Sequence, residues 1–193
     1  VRMIARVGDD TFGQTLRNAL ADEGVDVAHV DVTEDVPSGV AMIIVDARGE
    51  NSIVVAGGAN RLVTPDDLFS RSERFAESDA VVLQLELPLP TVRAAVDIAR
   101  RHGCKVVLDP APAPQRLCPE LYDVDVISPN ASEAETLTGQ QAMEERIDKL
   151  VATELVARGA TAAVLKLGSR GSMVVVSDGH FYRVPAYKVA VED

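Results

Sequence analysis

The chain reads Val126-Ile-Ser-Pro-Asn-Ala-Ser-Glu-Ala-Glu135 at a point where a strand is followed by a helix, and this stretch decides the fold. The apolar strand ends at Ile127, runs into Pro129, and is followed by a helix predicted to begin at Asn130. Asn130 and Glu133 therefore lie at the C-terminal end of a strand, where open α/β sheets bind ligands. The same two residues also fit a capping box, which satisfies free backbone N–H groups and needs no ligand.

Apolar strands alternate with helices on both sides of this stretch. The predicted strands are Arg2–Val7, Val25–Asp31, Asp79–Leu85, Cys104–Leu108, Leu121–Ile127, Thr161–Leu167 and Ser172–Val176, with a last pair after Asp178-Gly179. Apolar residues at helical spacing predict helices at several places between these strands. The helices come after the first strand, after Thr64-Pro65, after Glu86 and after the stretch quoted above. This alternation predicts βαβ units in an α/β protein with a mostly parallel sheet.

Two β-rich runs interrupt the alternation. Gly39–Asp46 and Ser52–Ala56 follow one another without a helix, and the connection Asp46–Asn51 has hairpin character. The first run is apolar at both alternating sets of positions, so both of its faces are expected to be covered. Either one face lies over a ligand and the other against a partner subunit, or both belong to an internal core. We therefore expect a small β appendage near residues 31–57.

Composition excludes several classes of protein. The 193-residue chain has a formal net charge of −11 at pH 7, which argues against nucleic acid or an anionic membrane as a partner. A phosphate ligand stays possible, because backbone N–H groups can hold one without net positive charge. Two cysteines are too few for a disulfide scaffold and favour a reducing cytoplasm. No apolar run approaches membrane-spanning length.

Polar groups follow successive predicted strands. They are Glu86, Asp109, Asn130 and the turn Gly168-Ser-Arg-Gly171. If these strands are parallel neighbours, the groups share one sheet edge, an arrangement that suits nucleotide phosphates and Mg²⁺. Each group also has a simpler interpretation: a solvated strand end for Glu86, a turn for Asp109, and a β-hairpin loop for the glycine pair.

Familiar catalytic motifs are not matched. Gly8-x-x-x-x-Gly13-Gln14-Thr15 is one residue from a Walker A loop, but Gln14 replaces the lysine, and Asp9 and Asp10 would repel phosphates. A helix N-terminus bearing carboxylates explains it better. The sequence lacks the Gly-x-Ser-x-Gly elbow of hydrolases, and no Gly-x-Gly-x-x-Gly fingerprint of dehydrogenases follows the first strand.

Six motifs together resemble one known family. In order they are Val7-Gly-Asp-Asp-Thr-Phe-Gly13, Ser38-Gly-Val-Ala41, Leu83-Gln-Leu-Glu-Leu-Pro88, Asp109-Pro-Ala-Pro-Ala113, Pro129-Asn-Ala-Ser-Glu133 and Leu167-Gly-Ser-Arg-Gly171. The chain is similar over its length to the ribokinase-like (PfkB) carbohydrate kinases. The resemblance implies a single Rossmann-like α/β domain over residues 1–193, its mostly parallel sheet flanked by helices. It also implies a small β-sheet lid at about 31–57 that covers the sugar and forms a homodimer.

Site residues are carried over from the family by position. The resemblance implies that Asn130 binds ATP and that Glu133 organises Mg²⁺. It implies that the Glu86 carboxylate binds sugar hydroxyls. It also implies that Asp193 is the first ligand of a K⁺ site. The nucleotide-binding turn would comprise Lys166, Leu167, Gly168, Ser169, Arg170 and Gly171, and many family members have Thr where Lys166 stands.

The implied reaction transfers the γ-phosphoryl group of ATP to the 5-hydroxyl of D-ribose in the cytoplasm. No residue of the chain is predicted as the catalytic base. We expect the Gly-Ala-Gly-Asp motif with the catalytic aspartate beyond Asp193, and the early Gly-Gly-Lys-Gly-Ala-Asn sugar motif before Val1. Alternatives are a kinase for a related sugar or nucleoside, or a non-catalytic sugar- or nucleotide-binding domain.

Overall fold

The structure is a computed structural model, and it describes residues 1–46 and 51–188. The chain divides into two compact units. The described part of the first comprises residues 1–46, 51–67 and 86–88, and that of the second comprises 68–85 and 89–188. Helices and mostly parallel strands confirm the α/β class.

The first unit contains a β-α-β element followed by a hairpin. Its elements are β1 (Arg2–Gly8), α1 (Thr11–Asp22), β2 (Asp26–Thr33), β3 (Val40–Val45), β4 (Asn51–Ala56) and a 3-10 turn (Gly58–Leu62). Strands β1 and β2 pair in parallel, as the intervening helix requires, whereas β3 and β4 pair antiparallel. Helix α1 begins at the N-cap Asp10 and is followed by Gly24 at φ +75°, which closes it.

The β3–β4 hairpin is apolar on both faces and uncovered. In this antiparallel register Met42 lies opposite Val54, and Ile43 lies opposite Ile53 on the other face. The large apolar side chains of the two strands are 43–63% exposed. Among the residues that the structure describes, neither face of the hairpin is therefore packed in an internal core. The predicted connection Asp46–Asn51 lies largely outside the described residues.

The second unit is a six-stranded sheet with helices. Helix α2 (Pro65–Phe69) crosses from the first unit, and the rest are α3 (Ser72–Ala76), β5 (Ala80–Leu83), α4 (Leu89–Arg101), β6 (Lys105–Leu108), β7 (Val126–Ile127), α5 (Ala131–Thr138), α6 (Glu145–Ala157), β8 (Ala162–Lys166), β9 (Ser172–Val176) and β10 (Phe181–Val184). The strand order is β10-β9-β8-β7-β6-β5. The neighbours from β5 to β8 are parallel, whereas β8–β9 and β9–β10 are antiparallel.

The core of this unit lies between the sheet and its helices. Its fully buried side chains include Leu108, Ile127 and Leu165 on the strands and Val96 and Leu155 on the helices. Every second residue of β8 and β9 is buried, which is the period of a strand with one packed face.

Cys104 is a buried thiol in the core. Its Sγ lies 3.0 Å from the Phe75 carbonyl oxygen, and burial raises the pKa of the thiol. Both cysteines of the chain are free. Within residues 1–46 and 51–188, none of the helices has the length and apolarity needed to cross a membrane.

Candidate nucleotide site

Strands β6, β7 and β8 bring three chain segments to one sheet edge. Leu108 pairs with Ile127, and Ile127 pairs with Ala163, all in parallel register. The pairing continues past β7, where Asn130 bridges to Lys166. Because the carboxyl ends of parallel strands share an edge, Asp109, Asn130 and the segment after β8 meet there, as the sequence predicted.

Asn130 and Glu133 form a complete capping box at the start of α5. The Glu133 N–H donates to Asn130 Oδ1 at 2.8 Å, and the Asn130 N–H donates to Glu133 Oε2 at 2.7 Å. A further bond runs from Asn130 Nδ2 to Glu133 Oε1 at 2.8 Å. The capping interpretation is therefore confirmed, and these bonds fix both side chains at the sheet edge.

Lys166 and Asp109 form an ion pair across this edge. Lys166 Nζ lies 2.6 Å from Asp109 Oδ2, and both side chains are partly exposed. Asp109 Oδ1 is buried and has no hydrogen-bond partner within the described part of the chain. A buried oxygen of this kind requires a hydrogen-bond donor or a cation, which water or a ligand can supply.

The glycine turn joins β8 to β9 as a hairpin connection, which confirms the β-hairpin loop predicted for the glycine pair. Leu167 N–H donates to the Gly171 carbonyl at 2.8 Å, and Gly171 N–H donates to the Gly168 carbonyl at 2.9 Å. Gly168 and Gly171 have φ values of +59° and +82°, which glycine tolerates best. Around Ser169 the backbone therefore makes a compact 3-10 turn directly after the carboxyl end of β8.

The Arg170 side chain is engaged inside the protein. Its Nη1 donates to Asp148 Oδ2 at 2.5 Å, and its Nη2 donates to the Ala142 carbonyl at 2.6 Å. Asp148, on α6, is fully buried. A contact of Arg170 with a nucleotide is therefore expected to use its backbone. Sequence reasoning missed Asp148, although it shares a helical face with the buried Val151, Ala152 and Leu155, and that spacing was the available signal.

Two more predicted site residues are Glu86 and Asp193. Glu86 follows β5, the parallel neighbour of β6, and is grouped with the β3–β4 hairpin in the first unit. Asp193 lies outside the described residues, so the predicted K⁺ site there stays a prediction.

The carboxylates at the sheet edge fit the small set of protein ligands that Mg²⁺ takes when it also binds phosphates. Within the part of the chain that the structure describes, no group of three or more His, Cys, Asp or Glu could hold a metal ion by itself. Mg²⁺ typically takes one or two carboxylates and completes its shell with water and substrate phosphates. Glu133 and Asp109, with its unpartnered oxygen, are carboxylates of that kind.

A mostly parallel α/β sheet with carboxylates and a glycine turn at its carboxyl edge has the arrangement in which α/β proteins bind ligands. The family model for "pfkB family carbohydrate kinase" matches residues 1–193. The chain therefore belongs to the PfkB carbohydrate kinase family.

Two curated relatives and one solved structure illustrate this membership. A "Ribokinase" of Haemophilus influenzae is 39% identical over 175 residues, which is 90% of this chain and 57% of that protein. A "Deoxyribokinase" of Salmonella typhi is 34% identical over 195 residues, 100% of this chain and 63% of that protein. A structure of Arabidopsis thaliana ribokinase with ribose and ATP aligns at a TM-score of 0.87 and 27% identity, covering 98% of this chain and 62% of that one. The chain thus spans about three fifths of each relative.

Proposed function

We propose that this chain belongs to an ATP-dependent sugar kinase that transfers the γ-phosphoryl group of ATP to the 5-hydroxyl of D-ribose. The observation that carries the proposal is the edge formed by Asp109, Asn130 and the turn after β8, because phosphoryl transfer depends on positioning and charge stabilisation. The names of the relatives support the choice of a pentose.

The residues take distinct roles in this proposal. The backbone of the turn Leu167–Gly171 binds ATP, with Asn130 and Lys166 beside it. Glu133, with Asp109, holds Mg²⁺, which neutralises charge on the phosphates when it is bound. Glu86 binds sugar hydroxyls, and Asp193 contributes to a K⁺ site. None of the described residues is proposed as the catalytic base.

A second candidate substrate is 2-deoxyribose, which the similarity to the Salmonella typhi deoxyribokinase favours. The two sugars differ by one hydroxyl, and a site that hydrogen-bonds that hydroxyl discriminates strongly against the sugar that lacks it. A related sugar or nucleoside as acceptor, or a binding domain without catalysis, are the remaining alternatives.

The test is ADP release from MgATP with D-ribose, 2-deoxy-D-ribose or adenosine as acceptor, each with K⁺ or Na⁺. We expect the highest kcat/KM with D-ribose and an increase with K⁺. Faster turnover of 2-deoxy-D-ribose would identify it as the substrate in place of D-ribose. Binding of ATP and ribose without turnover would instead support a binding domain.

We further propose that the β3–β4 hairpin is the lid and also the contact of a cytoplasmic homodimer. Both faces of the hairpin are apolar and exposed, and an isolated two-stranded ribbon is marginal in water. One face covering the sugar and the other meeting a second copy would remove both from solvent.

Substitutions on opposite faces test this division of roles. Met42→Lys and Ile43→Lys place the same charge on the two faces of one strand. We expect one variant to sediment as a monomer and the other to raise the KM for the sugar. Two variants that both sediment as the parent protein does would contradict the dimer contact.

A further inference from the structure

The Asp10 carboxylate makes more contacts than a helix cap needs. Oδ1 accepts the Gly13 N–H at 2.7 Å, which is the ordinary N-cap bond of α1. The same oxygen accepts the Ser38 hydroxyl at 2.7 Å, and Oδ2 accepts the Ser38 N–H at 2.8 Å. The Ser38 hydroxyl in turn accepts the Gly8 N–H at 3.0 Å. Asp10 and Ser38, 28 residues apart, therefore form one closed network.

The backbone is packed tightly around this network. Ser38 is only 2% exposed. A Cβ on Gly8 would lie 2.5 Å from the Ser38 nitrogen, and one on Gly13 would lie 2.9 Å from its hydroxyl oxygen. A Cβ on Gly58 would lie 2.7 Å from the Ser38 carbonyl carbon. At Gly8, Gly13 and Gly58 the backbone therefore lies so close to Ser38 that a side chain would not fit there.

Both ends of the hairpin reach this same point. Gly39 alone separates Ser38 from β3. After β4, Gly57 leads to Gly58, and the Ala59 N–H donates to the Pro37 carbonyl at 2.9 Å. The apolar residues of the strands are exposed on both faces, so the base is where the hairpin is held within the first unit.

We propose that Asp10 is a positioning residue that fixes the base of the hairpin through Ser38 and thereby sets the affinity for the acceptor sugar. The inference rests on the proposed function, because it takes the hairpin as the lid over the sugar. When the Asp10 carboxylate fixes the base of the hairpin, the lid is held in one orientation before the sugar binds. Less conformational entropy is then lost on binding.

Asp10→Asn is the main test, because asparagine has a single acceptor oxygen and its amide group would face a donor at Ser38. Ser38→Ala removes the hydroxyl from the other side. Asp9→Asn is the matched control, with the same charge change one residue away and no part in the Ser38 network. The measurements are KM for D-ribose, KM for ATP, and hydrogen exchange of residues 40–45 and 51–56.

We expect both test variants to raise the KM for ribose about tenfold, as loss of a charge-assisted hydrogen bond would. The KM for ATP should stay within about twofold, and exchange should accelerate in the hairpin but not in the second unit. Asp9→Asn should match the parent protein.

Unchanged ribose KM and hairpin exchange in Asp10→Asn would overturn the proposal. So would a parallel rise in both KM values with faster exchange throughout, since that is general loss of stability. If Ser38→Ala does not fold, Asp10→Asn decides alone. If the parent protein shows no sugar-dependent turnover, the kinase proposal fails, and hairpin exchange alone then decides whether Asp10 fixes the base.

Discussion

Arg170 in the glycine turn donates to the fully buried carboxylate of Asp148 at 2.5 Å, and this pair joins the turn to helix α6. The second carboxylate oxygen of Asp148 is buried and has no hydrogen-bond partner among residues 1–46 and 51–188. The charge of Asp148 is therefore balanced mainly by one arginine, itself about one-third exposed.

Arg170→Ala should lower the free energy of unfolding by about 3–5 kcal/mol, because it leaves the fully buried carboxylate of Asp148 without its cation. Urea denaturation measures this. Glu145→Ala, which removes the exposed partner of Arg183, is the control and should cost under about 1 kcal/mol. Equal costs for the two variants would show that the pair with Arg170 has no special role.

Glu133→Gln should reduce Mg²⁺-dependent turnover far more than stability. Glutamine can still accept the Asn130 N–H, so most of the cap survives, but the negative charge proposed for the metal is lost. The readouts are kcat at several Mg²⁺ concentrations and the melting temperature. Glu135→Gln, on the same helix, controls for charge. An unchanged rate with a lower melting temperature would leave Glu133 with capping alone.

Lys166→Thr should change the KM for ATP by less than about threefold. In the structure the Lys166 ammonium is paired with Asp109, and we attribute nucleotide binding to the backbone of the turn. Both side chains of the pair are more than a third exposed, so stability should change by under about 1 kcal/mol. A tenfold or larger rise in KM would assign the ammonium a direct contact with the phosphates.

Gly171→Ala should be far more damaging than Gly179→Ala. Both glycines have positive φ, at +82° and +91°, so each substitution carries a backbone cost of about 1–2 kcal/mol. At Gly171 the new Cβ would also lie 2.0 Å from the Val184 carbonyl oxygen, whereas nothing lies within 4 Å at Gly179. Thermal unfolding of the two variants measures the difference. Similar losses of stability in the two variants would mean that β10 can shift at Val184 at little cost in free energy.

Asp67 should make the free energy of unfolding depend on pH in the acid range. Burial alone would raise its pKa, but hydrogen bonds from Arg6 and Thr64 lower it to about 2 from the ordinary 3.8. The stabilisation, about 2 kcal/mol, is complete well above pH 4 and is lost as the pH falls through 2. Asp67→Asn should therefore be destabilised by about 2 kcal/mol at pH 7 and by about half of that at pH 3. Asp66→Asn is the control, and a difference independent of pH would contradict the assignment.

Local signals account for what could be predicted. Asn130 and Glu133 are three residues apart, so their cap is encoded within one helical turn. The alternation of strands with helices was likewise sufficient to predict parallel neighbours from β5 to β8. The strand predicted over Leu121–Ile127 is shorter in the structure, because Leu121 and Tyr122 are buried around a 3-10 turn rather than in the sheet.

Long-range partners could not be predicted. The network of Asp10 with Ser38 and the pair of Asp148 with Arg170 join residues 28 and 22 positions apart. Each depends on how two segments meet in space, which periodicity does not specify. At Asp10 the local N-cap signal was itself sufficient to explain the residue, and it concealed the second contact.

The capping box at Asn130 has a consequence for the timing of entropy loss. Both oxygens of Glu133 already accept hydrogen bonds from Asn130, so the side chain is held in one rotamer by the fold itself. Ordering a free glutamate on binding costs about 0.5–1.5 kcal/mol. Here that loss occurs when helix α5 forms, so the cation proposed for this carboxylate would meet a side chain whose conformational freedom is already lost.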